Sequence, residues 1–198
     1  MKLYYSPTSP YVRKVVACAI ARGINGQIRR IETNPHVSPP ELLADNPLSK
    51  VPCLVTEDGL ALFDSPVICE YLDSVGDVIP LFPSHGAARW RALRFQAMGD
   101  GIMDAAVARR MEQGRPQEEA RMAAMDRQAS AIVRTLDMLE AEPPANHLDI
   151  GAITVACALG YLDLRFAAEA WREGRPKLAQ WLGSMQQRPE IADTMPQG

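Results

Sequence analysis

A chain of 198 residues is long enough to bury a substantial core and to form one large or two small domains. Its 47% hydrophobic and 23% charged residues are those of an ordinary globular protein. The formal charge of −3 provides no basic field for nucleic acid or for an anionic membrane surface. No apolar run approaches a membrane-spanning length, and the start, Met1-Lys2-Leu3-Tyr4-Tyr5-Ser6-Pro7, lacks the apolar core of a signal peptide. The expected location is the cytoplasm. Cys18, Cys53, Cys69 and Cys157 have no Cys-x-x-Cys spacing, and His36, His85 and His147 lie far apart. No metal-site spacing is present, so the cysteines read as reduced, small apolar side chains.

Leu3–Tyr5 reads as a strand and Pro10 to Arg22 as a helix ended by Gly23. Ser9 suits the helix cap and Pro10 its first position, where a missing N–H costs nothing. The joint between them, Ser6-Pro7-Thr8-Ser9, points free N–H groups and a partial positive charge at its loop, which suits an anion. Ile28–Glu32 alternates as a second strand, and a proline-containing segment leads to a short helix over Glu41–Ala44. Val51–Thr56 and Leu60–Phe63 flank Asp58-Gly59, a hairpin signal. Ser65 as cap and Pro66 as first residue open a helix whose apolar face is Val67, Ile68, Tyr71 and Leu72.

From Gly76 to Pro83 the composition suits an extended linker, and beyond it the strand signals almost vanish. Helical patterns are expected over Ser84–Arg115, Gln117–Glu140, Asp149–Ala168 and Lys177–Gln187, followed by a polar tail. The third of these is apolar almost throughout, as the central helix of a bundle must be. Asp149 can cap it, but Ala152 cannot complete a capping box. Trp90, Trp171 and Trp181 are expected in the core. Arg89, Arg91, Arg94, Arg109 and Arg110 could favour an anionic co-substrate but are expected on a solvated face. The fold class is therefore an α/β, thioredoxin-like βαβαββα unit over residues 1–77 and an all-α unit over residues 84–198.

Three stretches carry a family resemblance: Ser6-Pro7-Thr8-Ser9-Pro10, Asn46-Pro47-Leu48-Ser49-Lys50-Val51-Pro52, and Asp64-Ser65 followed by Ile68-x-x-Tyr71-Leu72. With this order and spacing the chain resembles a cytosolic glutathione S-transferase over essentially its whole length, in particular a bacterial serine-containing subgroup. The resemblance implies glutathione as co-substrate, a small hydrophobic electrophile, no metal, and a homodimer to which the linker Val78–Phe82 and the third helix contribute. It implies conjugation of the glutathione thiolate to the electrophile. Glutathione-dependent isomerisation, dehalogenation or peroxide reduction are alternatives on the same fold, as is a non-catalytic binding or regulatory protein.

Residue by residue, the resemblance puts Ser9 at the thiolate, with Ser6 as rival donor and Tyr5, then Tyr4, behind it. Each of these serines also reads as a plain loop or cap residue. Val51 offers its backbone to an extended peptide, as an added strand does, and Pro52 matches a cis proline of the family. Asp64 and Ser65 suit the amino and carboxylate ends of a γ-glutamyl group, as well as an ordinary helix cap. Lys50 suits the glycyl carboxylate or plain solvent. For the electrophile the candidates are Tyr11, Met98, Ile102, Met103 and Val107, though any one of them reads more readily as ordinary core at helical spacing.

Overall fold

The computed structural model describes residues 1–116 and 118–196; Gln117, where one helical pattern is expected to begin, lies outside the described residues. The first half of the chain builds β1 (Lys2–Tyr5), α1 (Pro10–Ala21), β2 (Arg29–Glu32), α2 (Pro40–Asp45), β3 (Cys53–Val55), β4 (Ala61–Leu62) and α3 (Ser65–Val75). The sheet order is β2-β1-β3-β4. β1 pairs in parallel with β2, Leu3 facing Arg30, and antiparallel with β3, Leu3 facing Leu54. β4 closes the hairpin expected around Asp58-Gly59, with Gly59 at φ +88°, a backbone region that glycine enters freely. α1 and α3 cover one face through Val12, Val15, Ala19, Ile68 and Leu72, all buried.

The second half contains α4 (Gly86–Glu112), α5 (Glu119–Ala141), α6 (Ile150–Arg165), α7 (Pro176–Met185) and the short α8 (Pro189–Ala192). α8 occupies a stretch expected to be only a polar tail. α6 is buried without interruption from Ile150 to Leu162, which is why its sequence carries no polar face. Its start is held by Asp149, whose Oδ1 accepts the Ala152 N–H at 2.8 Å. α4 packs along α6 at close range: a Cβ built on Gly151 would stand 2.6 Å from the Ala92 carbonyl oxygen, and one on Gly99 2.8 Å from the Thr154 backbone. Only glycine permits that approach.

The two halves meet through α1, which packs on α3 and α6 alike. At this seam Lys14 is fully buried with its Nζ 2.6 Å from Asp100 Oδ1 on α4. Arg22, at the end of α1, is also buried; it pairs with Asp73 and donates to the carbonyls of Asp73, Gly76 and Val78. Asp73 in turn accepts the N–H groups of Leu81 and Phe82 at 2.7 and 3.1 Å.

Two expectations need correction here. Trp90 is 69% exposed, while Trp171 and Trp181 are core. Trp90 sits in the first turns of α4, outside the stripe that meets α6. Leu81 and Phe82, expected in an interface, are buried in this chain's own core, while Val78, Ile79 and Pro80 of the linker stand exposed. All four cysteines are reduced and buried. Among the described residues no helix is long and apolar enough to cross a membrane, and no group of side chains is arranged to hold a metal.

Candidate functional site

A cleft of about 1150 Å³ runs between the β1–α1 joint, the segment before β3, the start of α3 and the end of α4. Sequence places these stretches tens of residues apart. The sheet brings them together because β1 and β3 are antiparallel neighbours, and β3 begins beside the end of β1 at the edge of the cleft.

Ser9 is the N-cap of α1 and its Oγ accepts the Val12 N–H at 3.3 Å. Capping uses a lone pair of the oxygen and leaves the hydroxyl hydrogen free, so the same atom can cap a helix and donate into the cleft. The Ser9 N–H in turn donates to the Ser6 carbonyl at 3.1 Å, which closes the loop into a tight turn. Ser6 and Ser9 both line the cleft. The tyrosines do not. Tyr4 is buried on the far side, donating to Asp45 at 2.8 Å, and Tyr5 turns its hydroxyl to Glu32 at 3.4 Å.

Val51 and Pro52 line the cleft and are joined by a cis peptide bond. Asn46 shapes this loop: its side chain donates to the Lys50 carbonyl at 2.9 Å and accepts the Leu48 N–H at 3.0 Å. The Val51 N–H and C=O have no partner among the described residues, which leaves a short free edge beside β3. Lys50 extends from the same loop, exposed and without a carboxylate partner among the described residues.

Asp64 is the N-cap residue of α3, but its side chain makes no capping bond. The combined reading of ligand contact and cap is thus corrected: neither Asp64 nor Ser65 caps through its side chain, and Ser65 already lies inside the helix. Asp64 is an exposed carboxylate in the cleft, while Ser65 is 2% exposed at its floor. A free carboxylate beside unspent helix N–H groups can take a cation and an anion side by side.

The opposite wall differs from expectation. Ile102 and Met103 are 1% and 0% exposed, and neither they nor Met98 line the cleft. They belong to the α4 stripe Ala92, Phe95, Gly99, Ile102, Met103 and Ala106 that is buried within the bundle. The cleft stripe lies to one side, at Asp104, Val107 and Met111, spaced three and four residues apart as one helix face requires. Tyr11 reaches this wall from α1, donating its hydroxyl to Asp104 Oδ1 at 2.5 Å. Burial, then that carboxylate, push the Tyr11 hydroxyl far above its usual value, so it stays protonated. His36, Tyr161 and Arg165 also line the cleft and were not singled out from sequence, and Arg110 joins them. Arg110 read as one of several solvated arginines, and Tyr161 and Arg165 as part of a core helix; no local spacing marks them.

The sequence matches the family descriptions "Glutathione S-transferase, N-terminal domain" over residues 8–75 and "Glutathione S-transferase, C-terminal domain" over residues 122–184. The chain belongs to the glutathione S-transferase family. The expected fold class follows with it: a small mixed sheet with helices, then a helical unit. Among curated glutathione S-transferase relatives, the chain is 35% identical over 201 residues to the uncharacterized GST-like protein YibF of Escherichia coli K12, covering 99% of this chain and 98% of that one. A glutathione transferase family member from Pseudomonas fluorescens Pf-5, solved with bound glutathione, is 41% identical, with TM-score 0.94 over 100% of this chain and 99% of that chain. A second Pf-5 structure, with bound S-(propanoic acid)-glutathione, is 41% identical with TM-score 0.90 over 100% of both chains.

Proposed function

We propose that this glutathione S-transferase relative binds glutathione along the β3 side of the cleft and conjugates its sulfur to a small electrophile. What carries the reading is the convergence of Ser9, the free Val51 backbone and the uncapped Asp64 on one cleft. The glutathione-bound and S-substituted-glutathione-bound neighbours support it. In this scheme residues 1–77 hold glutathione and residues 84–198 supply the opposing wall. Val51 pairs with the peptide backbone, Lys50 faces the glycyl carboxylate, and Asp64 with Ser65 takes the γ-glutamyl ends.

The chemistry asks the protein for one thing, a thiolate at neutral pH. A free thiol ionises near pH 8.5, and a helix N-terminus or a donor beside the sulfur lowers that value. Ser9 offers its hydroxyl hydrogen, and α1 adds roughly half a unit of positive charge. The thiol proton leaves to water. The sulfur lone pair then forms the new C–S bond as the electrophile's leaving group departs with its own electron pair.

Retention on immobilised glutathione tests the binding half. Asp64→Ala should weaken glutathione affinity about ten-fold or more in calorimetry, since a charge-assisted hydrogen bond is worth about 1.5–3 kcal/mol. Because Asp64 makes no cap bond, melting should barely move. Unchanged affinity would remove Asp64 from the site.

We also propose a homodimer. Val67 on α3 and Trp90 on α4 are 46% and 69% exposed, beside helices tied by Arg89 and Glu70 at 3.1 Å. A bare tryptophan of this exposure is the kind of anchor a second copy buries. Sedimentation should give twice the chain mass, and Trp90→Glu should shift it toward the monomer. A monomeric wild type would end that reading.

A further inference from the structure

Several arginines of this chain are held by carboxylates. Arg89 pairs with Glu70, Arg94 with Glu142, Arg109 with Glu169, Arg172 with Asp163 and Arg175 with Asp137. Others with no ion pair among the described residues, such as Arg127 and Arg134, stand on the open surface. Arg110 and Arg165 fit neither group. Both line the cleft, and no carboxylate pairs with either among the described residues. Arg110 spends one donor on the Gln113 side chain at 3.2 Å. The Nε of Arg165 is buried with no acceptor.

These two guanidinium groups come from different helices, the end of α4 and the end of α6, and both act on Tyr161. Burial pushes the Tyr161 hydroxyl up, while Arg165, hydrogen-bonded to it, and Arg110 pull the other way. Two cations and one phenol thus line the same cleft. The wall's acid, Asp104, is engaged by the Tyr11 hydroxyl. Val107 and Met111 supply apolar surface beside them. An unpaired guanidinium presents a planar fork of N–H donors that matches a carboxylate in two parallel bonds.

We propose that Arg110 and Arg165 receive an anionic carboxylate on the electrophile, so that this wall selects substrates with an apolar body and an acid end. The proposal rests on the glutathione reading above and assigns the electrophile's class within it. With 4-chloro-3-nitrobenzoate as such a substrate, the thiolate bonds to the ring carbon that bears chlorine. The C–Cl bond breaks, chloride leaves with the electron pair, and the thiol proton has gone to water. The carboxylate takes no part in the chemistry; the arginines orient it.

Binding of the product separates this claim from catalysis. Calorimetry with the full chain would compare glutathione, S-(4-carboxy-2-nitrophenyl)glutathione and the matching carboxamide. The acid conjugate should bind at least ten-fold tighter than the amide in the wild type. That ratio should fall in Arg110→Gln and in Arg165→Gln, and approach one in the double variant. Arg94→Gln, on the outer surface, should retain it. Rates with the benzoate and benzamide chlorides, each divided by its uncatalysed rate, should show the same preference. Equal affinities in the wild type, or a preference that survives in the double variant, would overturn the arginine proposal while glutathione binding still stands. Failure of glutathione itself to bind would instead remove the functional reading on which it rests.

Discussion

Ser9→Ala should lower kcat/KM for conjugation about ten- to hundred-fold and shift its pH dependence toward alkali. A hydrogen bond to a charged group contributes about 1.5–3 kcal/mol, and each 1.36 kcal/mol is a factor of ten in rate or one pH unit in ionisation. The sign follows from which form the hydroxyl favours. It donates to the thiolate, so it holds the bound thiol's pKa down. Without it the thiol ionises later, and the acid limb of the rate profile moves up by about one to two units. The substitution also removes the bond to the Val12 N–H, worth about 1 kcal/mol of stability. That loss alone would lower the melting temperature and leave the pH profile in place, so the profile is the deciding measurement. A shifted profile in Ser6→Ala together with an unshifted one in Ser9→Ala would give the role to Ser6, the other serine lining the cleft.

Lys14→Met should produce the largest loss of stability at neutral pH, about 3–5 kcal/mol. The lysine is fully buried and its partner Asp100 is 20% exposed by side chain, so removing the cation leaves a desolvated carboxylate behind. Methionine preserves most of the stem's volume, which confines the effect to charge. The cost should also depend on pH. Burial raises the Asp100 carboxyl, Lys14 opposes this, and the nearby acids Asp104 and Asp64 add to the rise. In the variant the opposing cation is gone, so the folded-state value rises further. A folded protein that holds this proton more tightly than the unfolded chain loses stability as pH rises through that window. The penalty should therefore be greatest at pH 7–8 and shrink as pH falls through the raised value. Urea unfolding of wild type and variant at pH 7.5 and pH 5.0 measures this. Asp100→Asn in the same chain should recover part of the loss. A penalty independent of pH would mean that packing, not charge, is what Lys14 supplies.

The half of the chain that holds Ser9, Val51 and Asp64 was legible from sequence because its signals are local. Proline, serine and glycine mark each turn, and a turn residue acts through its own backbone. The opposite wall was not legible for the converse reason. α4 is buried along one stripe and forms the cleft along another, and both stripes repeat at three and four residues. Periodicity therefore marks a helix without saying which face meets the bundle and which meets the ligand. Met98, Ile102 and Met103 were placed on the wrong one. Trp90 was misread on similar grounds, since an aromatic residue at helical spacing reads as core whether a neighbour in the same chain covers it or not. Arg110 and Arg165 acquire meaning only from being brought together on Tyr161, and nothing in a one-dimensional pattern joins positions on separate helices.

The knot around Arg22 bears on how the cleft opens. Its guanidinium ties together the end of α1, the end of α3 and the start of the connecting segment, and Asp73 ties that segment's far end by two N–H bonds. The Leu81 carbonyl then accepts the N–H of Ile150 at the start of α6. A passage fastened at both ends to rigid helices offers no swivel. The two walls of the cleft are set at a fixed gauge, like the jaws of a clamp already tightened. The mouth of the cleft so held carries the exposed side chains of His36, Lys50 and Arg110.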